Sequence, residues 1–153
     1  MSRPNTHQVA RAGERLVAAE LHRRGATYAV TSAGNRRRIE ATDAARTRTV
    51  TLRVRTSSDG QRWQVSTTDG RPREEPTEED HFWVFVALTA QPEFYVVPEW
   101  RVENDIYEST RAYKAKHGGQ RPRTPHSTHS LHELSRIERW RDRWDLLGLF
   151  TDR

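Results

Sequence analysis

Arginine carries most of the chemistry available to this sequence. Between Arg36 and Arg62 stand eight arginines against three acids, Glu40, Asp43 and Asp59. Arg36, Arg37 and Arg38 follow a Gly34-Asn35 turn, and Arg53 and Arg55 alternate in the run Leu52-Arg53-Val54-Arg55-Thr56. A guanidinium offers a planar fork of donors that pairs bidentately with phosphate oxygens. The chemistry implied is anion binding, and a nucleic-acid backbone is the anion such a patch fits. The competing reading is a solvated surface. The chain holds 24 arginines and only two lysines, a ratio that a GC-rich genome produces without functional cause. No helix-turn-helix, finger or other base-reading pattern accompanies the arginines.

Two further groups could do chemistry. His126, His129 and His132 fall three apart beside Glu133, types that hold Zn²⁺ or Ni²⁺ when a helix gathers them. However, Pro125 and the capping-box pattern Ser130-Leu131-His132-Glu133 place the first two ahead of a helix, with His132 in its first turn. Trp140 and Trp144, four apart, share one face of that helix, either as core or as a surface for a homodimer or protein partner. There is no HExxH, no Gly-rich phosphate loop and no Ser-centred elbow. The absence of cysteine excludes disulfides, thiolate metal sites and cysteine nucleophiles.

The elements that must position these residues are legible from periodicity. A helix is expected from Asn5 or Thr6 to about Arg24, closed by Gly25. A short strand from Thr27 to Thr31, an extended piece around Ile39 and a longer strand from Arg46 to Thr56 follow. In the last, Val50, Leu52 and Val54 alternate with Thr49, Thr51, Arg53 and Arg55, one apolar face and one cationic. Asp59-Gly60 predicts a hairpin into Arg62 to Thr67. Residues 69–80 form an acidic loop with six of the 21 acids, read first as a solubilising linker and second as a cover for the basic strand face. His81 to Thr89 is almost wholly apolar and predicts a central strand covered on both faces, and Glu93 to Val97 is another. A helix from Arg101 to Lys116, a Gly/Pro/His loop over 117–129 and a last helix carrying Leu131, Leu134, Ile137, Trp144 and Leu147 complete the chain.

At 153 residues this is one domain, residues 1–153, of α+β class. A mixed central sheet of about five strands is expected, with an N-terminal helix and two C-terminal helices. The longest apolar stretch, Phe82 to Ala90, is far short of the ~20 residues of a membrane span. The N-terminal run MSRPNTHQVARAGERL lacks the apolar core of a signal peptide. A cytoplasmic protein without membrane contact is expected.

Glu14 on the first helix, the Gly34-Asn35 turn leading to Ile39-Glu40, the strand LRVRT, the apolar pair FWVFVAL and EFYVVP, and the closing RWDLLGLF together resemble the PD-(D/E)XK nuclease-like superfamily, in its small stand-alone bacterial form. The resemblance spans nearly the whole chain, through short motifs. It implies a restriction-endonuclease-like fold in which acids on two strands, with a lysine two residues beyond the second, surround Mg²⁺ or Mn²⁺. Carried over residue by residue, Glu14 matches the helix acid and Glu40 the first metal-binding acid, with Asp43 able to take its place. Arg53 falls on the second acid and Arg55 on the lysine.

Arg53 has no acceptor for a metal, and Arg55 is a poor proton carrier. The resemblance with these departures implies a nuclease-like domain that binds nucleic acid, DNA more than RNA, through Arg36, Arg37, Arg38, Arg53 and Arg55. No cofactor and no cleavage are expected, with Glu14 and Glu40 paired to Arg53 and Arg55 instead. Two alternatives stay open. One is a divergent endonuclease using Glu14, Glu40 and Arg55 with a metal on Glu40 and Asp43. The other is a protein-interaction module.

Overall fold

The computed structural model describes residues 6–33, 36–116 and 129–150. Helix α1 (Thr6–Arg23) leads into a five-stranded mixed sheet in the order β1 (Thr27–Ala33), β2 (Arg36–Thr42), β3 (Thr49–Ser57), β5 (His81–Ala87), β6 (Glu93–Pro98). All neighbours are antiparallel except β3 and β5. Strand β4 (Arg62–Ser66) leaves this sheet and pairs with β7 (His129–Glu133). Helix α2 (Glu99–Lys116) follows β6. The chain closes through the four-residue α3 (Leu134–Ile137) and two 3₁₀ turns, Glu138–Trp140 and Trp144–Leu147. No helix among the described residues is long and apolar enough to cross a membrane.

Two cores lie on opposite faces of the sheet, and β5 feeds both. Phe82, Val84 and Val86 join Val17 and Leu21 of α1, Ile39, Leu52 and the C-terminal Trp144 and Leu147 in the first. Trp83, Phe85 and Ala87 join Trp63 and Val65 of β4, Tyr95, Val102 and Ile106 of α2 and Ile137 in the second. Strand alternation sends consecutive apolar residues to opposite faces, which is why this strand reads as an unbroken apolar run. Trp63, Trp83, Trp144 and Phe85 are among the largest fully buried side chains, and truncating any such group costs about 3–5 kcal/mol.

α1 reaches the sheet through a glycine. A Cβ at Gly13 would sit 1.9 Å from Thr56 Oγ1 and 2.9 Å from Thr56 Cβ. The helix ends as expected, with Gly25 at φ +95° and its N–H donating to His22 O at 3.0 Å.

Several expectations are corrected. The Asp59-Gly60 turn forms, with Gly60 at φ +70° and its N–H on Ser57 Oγ, but no hairpin follows because β4 is drawn to β7 and buries Trp63 and Val65. The Ser130 capping box is replaced by β7, so His132 is a strand residue, 2% exposed and stacked on Phe85 at 5.5 Å. His126 lies outside the described residues, as does the 117–129 loop except for the backbone of His129. The last helix breaks after Ile137, and Trp144 goes to the first core while the half-buried Trp140 packs against the second. The two tryptophans therefore share no face, and the expected partner surface is not formed by the pair. The acidic segment is fastened to α2 and to the start of β3: Arg73 N–H donates to Asn104 Oδ1, Arg73 pairs with the buried Glu103, and Thr51 N–H donates to Asp80 O.

Gly13→Ala should lower the thermal midpoint by the equivalent of about 1–3 kcal/mol, although alanine is the better helix former by ~1 kcal/mol. Thr56→Ala should recover part of that loss in the double variant, and full stability in Gly13→Ala alone would refute the close approach. A second prediction concerns His132, which burial, then Arg136, pushes down to about 4. The unfolded chain therefore binds more protons between the ordinary 6.5 and about 4, so stability rises with pH through that window and is lost on acidification. The histidine contribution is on the order of 3 kcal/mol. Asp105, whose Oδ2 lies 3.9 Å from His132 Nε2, is raised by burial and acts in the opposite sense. Urea titrations of the parent and His132→Phe across pH 4 to 7 should differ in slope by that amount, and parallel curves would exclude it.

Candidate functional site

β2 is paired along its whole length to β1, from Thr27–Thr42 to Ala33–Arg36. Its ladder with β3 runs only from Thr42–Thr49 to Ile39–Leu52. Continuing that register would set Arg38 opposite Arg53 and Arg36 opposite Arg55. Like charges directly opposite destabilise a strand pair, and the ladder stops where they would begin. β3 meanwhile stays paired to β5 as far as Ser57–Ala87. The sheet therefore opens between β2 and β3.

The opening is a cleft of about 370 Å³. Arg36, Arg37 and Arg38 line one wall and Arg53 and Arg55 the other, while α1 contributes Arg11 and Glu14. Six guanidinium groups thus face one lining carboxylate. All five arginines expected to contact an anion border this single cleft, and Arg11 joins them.

The counter-ions differ from those expected. Glu14 lies on the α1 side and accepts two hydrogen bonds from Arg37, Nε to Oε2 at 3.0 Å and Nη2 to Oε1 at 3.0 Å, with Arg11 Nη1 at 4.0 Å. Hydrogen bonding to Glu14 holds the Arg37 guanidinium above its ordinary value. Arg53 is held by Asp69 in a two-bond fork, Nη1 to Oδ1 at 3.1 Å and Nη2 to Oδ2 at 2.9 Å, and lies over the Trp83 ring at 4.2 Å. Asp69 comes from the 3₁₀ turn Thr67–Asp69 at the head of the acidic segment. Neither Asp69 nor Trp83 was legible as a site residue, because both are brought to β3 only by its parallel pairing with β5 and the crossover between them.

Arg55 is the exception. It packs at 5.6 Å from the Trp83 ring, its Nε is buried without an acceptor, and among the described residues no carboxylate forms an ion pair with it. Burial, then the neighbouring Arg53 charge, pushes its guanidinium down to about 10. At neutral pH it stays protonated, a half-buried cation lining the cleft with no ion-pair partner among the described residues. Arg38 is lowered in the same way, by burial and by Arg53, and its Nη1 donates to Arg37 O at 2.9 Å. The Arg53 Nε is a further buried donor without an acceptor.

The acids implied by the resemblance do not assemble into a metal centre. Ile39 and Ala41 are buried in the first core, so alternation turns Glu40 to the other face of β2, where it is exposed, and it does not line the cleft. Asp43 closes the β2–β3 turn, its Oδ1 accepting from Thr47 N at 2.7 Å and Arg48 N at 3.1 Å. The Thr47 hydroxyl, first among its donors, holds it below its ordinary value. On β3 the residues facing α1 are Val54 and Thr56, while Arg53 and Arg55 face away. The donor set does not fit Mg²⁺ or Mn²⁺. Among the described residues, the only acids and histidines grouped closely enough to share an ion are the adjacent Glu79, Asp80 and His81. In that group Asp80 Oδ1 already lies 2.7 Å from His81 Nδ1.

Comparison with family models, curated proteins and solved structures returns no match.

A half-buried cation without an ion-pair partner lowers stability until an anion arrives. Arg55→Met should therefore raise the thermal midpoint, by the equivalent of about 1 kcal/mol or more. Sulfate or phosphate should stabilise the parent beyond chloride at equal ionic strength, and the increment should vanish in Arg55→Met. An unchanged anion effect in the variant would remove Arg55 from the site.

Proposed function

We propose that this chain binds nucleic acid, DNA before RNA, by seating backbone phosphate in the arginine cleft between β2 and β3, and that it does so without a metal and without cutting the strand. The observation that carries the reading is Arg55, a protonated guanidinium with a buried donor and no carboxylate partner, set among five other arginines. Phosphate supplies the missing acceptors in the geometry that guanidinium prefers. The mixed sheet with a long helix on each face agrees with the nuclease-like, restriction-endonuclease-like architecture that the resemblance implies, and belongs to the proposal. The non-cleaving part rests on Glu40 standing outside the lining of the cleft and on Arg53 standing where the resemblance calls for an acid.

Fluorescence anisotropy of a labelled duplex in EDTA tests the reading. Binding should weaken steeply with salt, with a log–log slope of about -3 for three to four neutralised phosphates. Arg36→Ala with Arg55→Ala should flatten the slope and weaken binding at least tenfold, about 1.4 kcal/mol. Arg139→Ala, beside Trp140 and away from the cleft, should not. Asp69→Asn should tighten binding, because it frees the Arg53 fork. Absence of binding at low salt would overturn the proposal. Mn²⁺-dependent nicking lost in Glu40→Ala would overturn its non-cleaving half.

A further inference from the structure

The arginine cleft does not end at Arg55. Ala10, Val54 and Arg55 also line a second recess of about 280 Å³, whose remaining walls include Val9 and Val65. That recess in turn shares Thr6, Val9, Thr56 and Gln64 with a depression of about 430 Å³ that reaches Arg62. The three form one trough along β3, between the first turns of α1 and strand β4. It is cationic at the β2 end, mainly apolar in the middle, where Thr56, Gln64 and Ser66 stand among the valines, and has Arg62 at the far end. Asp59, which borders that far end, is turned onto its own loop, accepting from Ser57 Oγ and Gln61 N at 2.8 Å each.

A trough of cation, apolar recess and cation matches one strand of nucleic acid with its base turned out: phosphate, nucleoside, phosphate. A stacked and paired base cannot leave its helix to enter a walled recess without paying for unstacking. A single strand presents its bases free, and apolar packing against each base face adds to the backbone attraction. We infer that the trough is a single-strand site, with one phosphate at Arg55, the adjoining nucleoside against Val9, Ala10, Val54 and Val65, and the next phosphate toward Arg62. The inference rests on the phosphate reading of the arginine cleft and names the form of nucleic acid that the cleft takes.

The test compares three labelled probes in EDTA at one salt concentration: a short oligothymidylate, a duplex of the same length, and a strand of the same length made of abasic units. The oligothymidylate should bind about tenfold tighter than either of the others. Val9→Trp, at a partly exposed helix position that lines the recess and not the arginine cleft, should fill the recess and abolish that preference while leaving duplex binding unchanged. Ala10→Trp, from the wall that the recess shares with the cleft, should abolish the preference as well. Equal affinity for the oligothymidylate and the abasic strand, or a preference that survives both tryptophans, would overturn the single-strand site and leave the phosphate reading standing. Failure of all three probes to bind would overturn both.

Discussion

Mutual repulsion between the arginines of β2 and those of β3 shapes this molecule more than any single attraction. Strands that pair from Thr42–Thr49 to Ile39–Leu52 would otherwise zip to their ends and close the sheet. Three devices keep the parted strands in place. The full β1–β2 ladder holds Arg36 to Arg38 on one side. The β3–β5 ladder holds Arg53 and Arg55 on the other, opposite Trp83 and Phe85. α1 spans the opening, anchored at Gly13 over Thr56 and tied to β2 by Glu14 and Arg37. Remove the opposing charges, and the opening loses its physical cause.

Such a local conflict is tolerated only because cohesion is supplied elsewhere. β5 feeds both cores, so the sheet centre is apolar over six consecutive residues, Phe82 to Ala87, and the large aromatics crowd there rather than at the β1–β2–β3 side. The acidic segment strengthens this division. It crosses from β4 to β5 over the second face and is fastened to α2 through Glu103 and Asn104. On the way it delivers Asp69 to Arg53. One carboxylate is enough to hold that guanidinium over Trp83, and too few to neutralise its neighbours. Natural sequences break local rules chiefly where function requires it, and here the breach is confined to one end of one strand pair.

Much of the fold was legible because it rests on periodicity. The α1 span, the alternation of Val50, Leu52 and Val54, and the unbroken apolar run of β5 each follow from a local repeat that burial then honours. What escaped depended on partners distant in sequence. Asp59-Gly60 is a good turn whether or not its strands stay together, and only Trp63 and Val65 meeting the second core decides that β4 goes to β7. Ser130-Leu131-His132-Glu133 satisfies the capping-box spacing and the strand pattern alike, and the β4 edge settles it as strand. At the site, the arginines expected to gather did gather, held by the β1–β2 and β3–β5 ladders. The acids did not: Glu40 shares the face of Arg36 and Arg38 but sits in the paired part of β2, opposite Thr51 and outside the cleft.

The shortage of free carboxylates also limits what chemistry the cleft can perform. Hydrolysis of a phosphodiester needs something to activate water and something to stabilise the charge that develops. Arginines supply the second amply: Arg55 at about 10 remains a cation at neutral pH, and Arg53 and Arg38 stand beside it. They cannot supply the first, because a protonated guanidinium has no acceptor. Of the two carboxylates at hand, Glu14 is engaged by Arg37 and Asp69 by Arg53 in paired hydrogen bonds. If phosphate is seated here as proposed, the arginines bind it with no free base beside it to activate a water, and binding of that kind produces affinity without rate. Strand geometry therefore agrees with the proposed reading of a site that grips the backbone and leaves it intact.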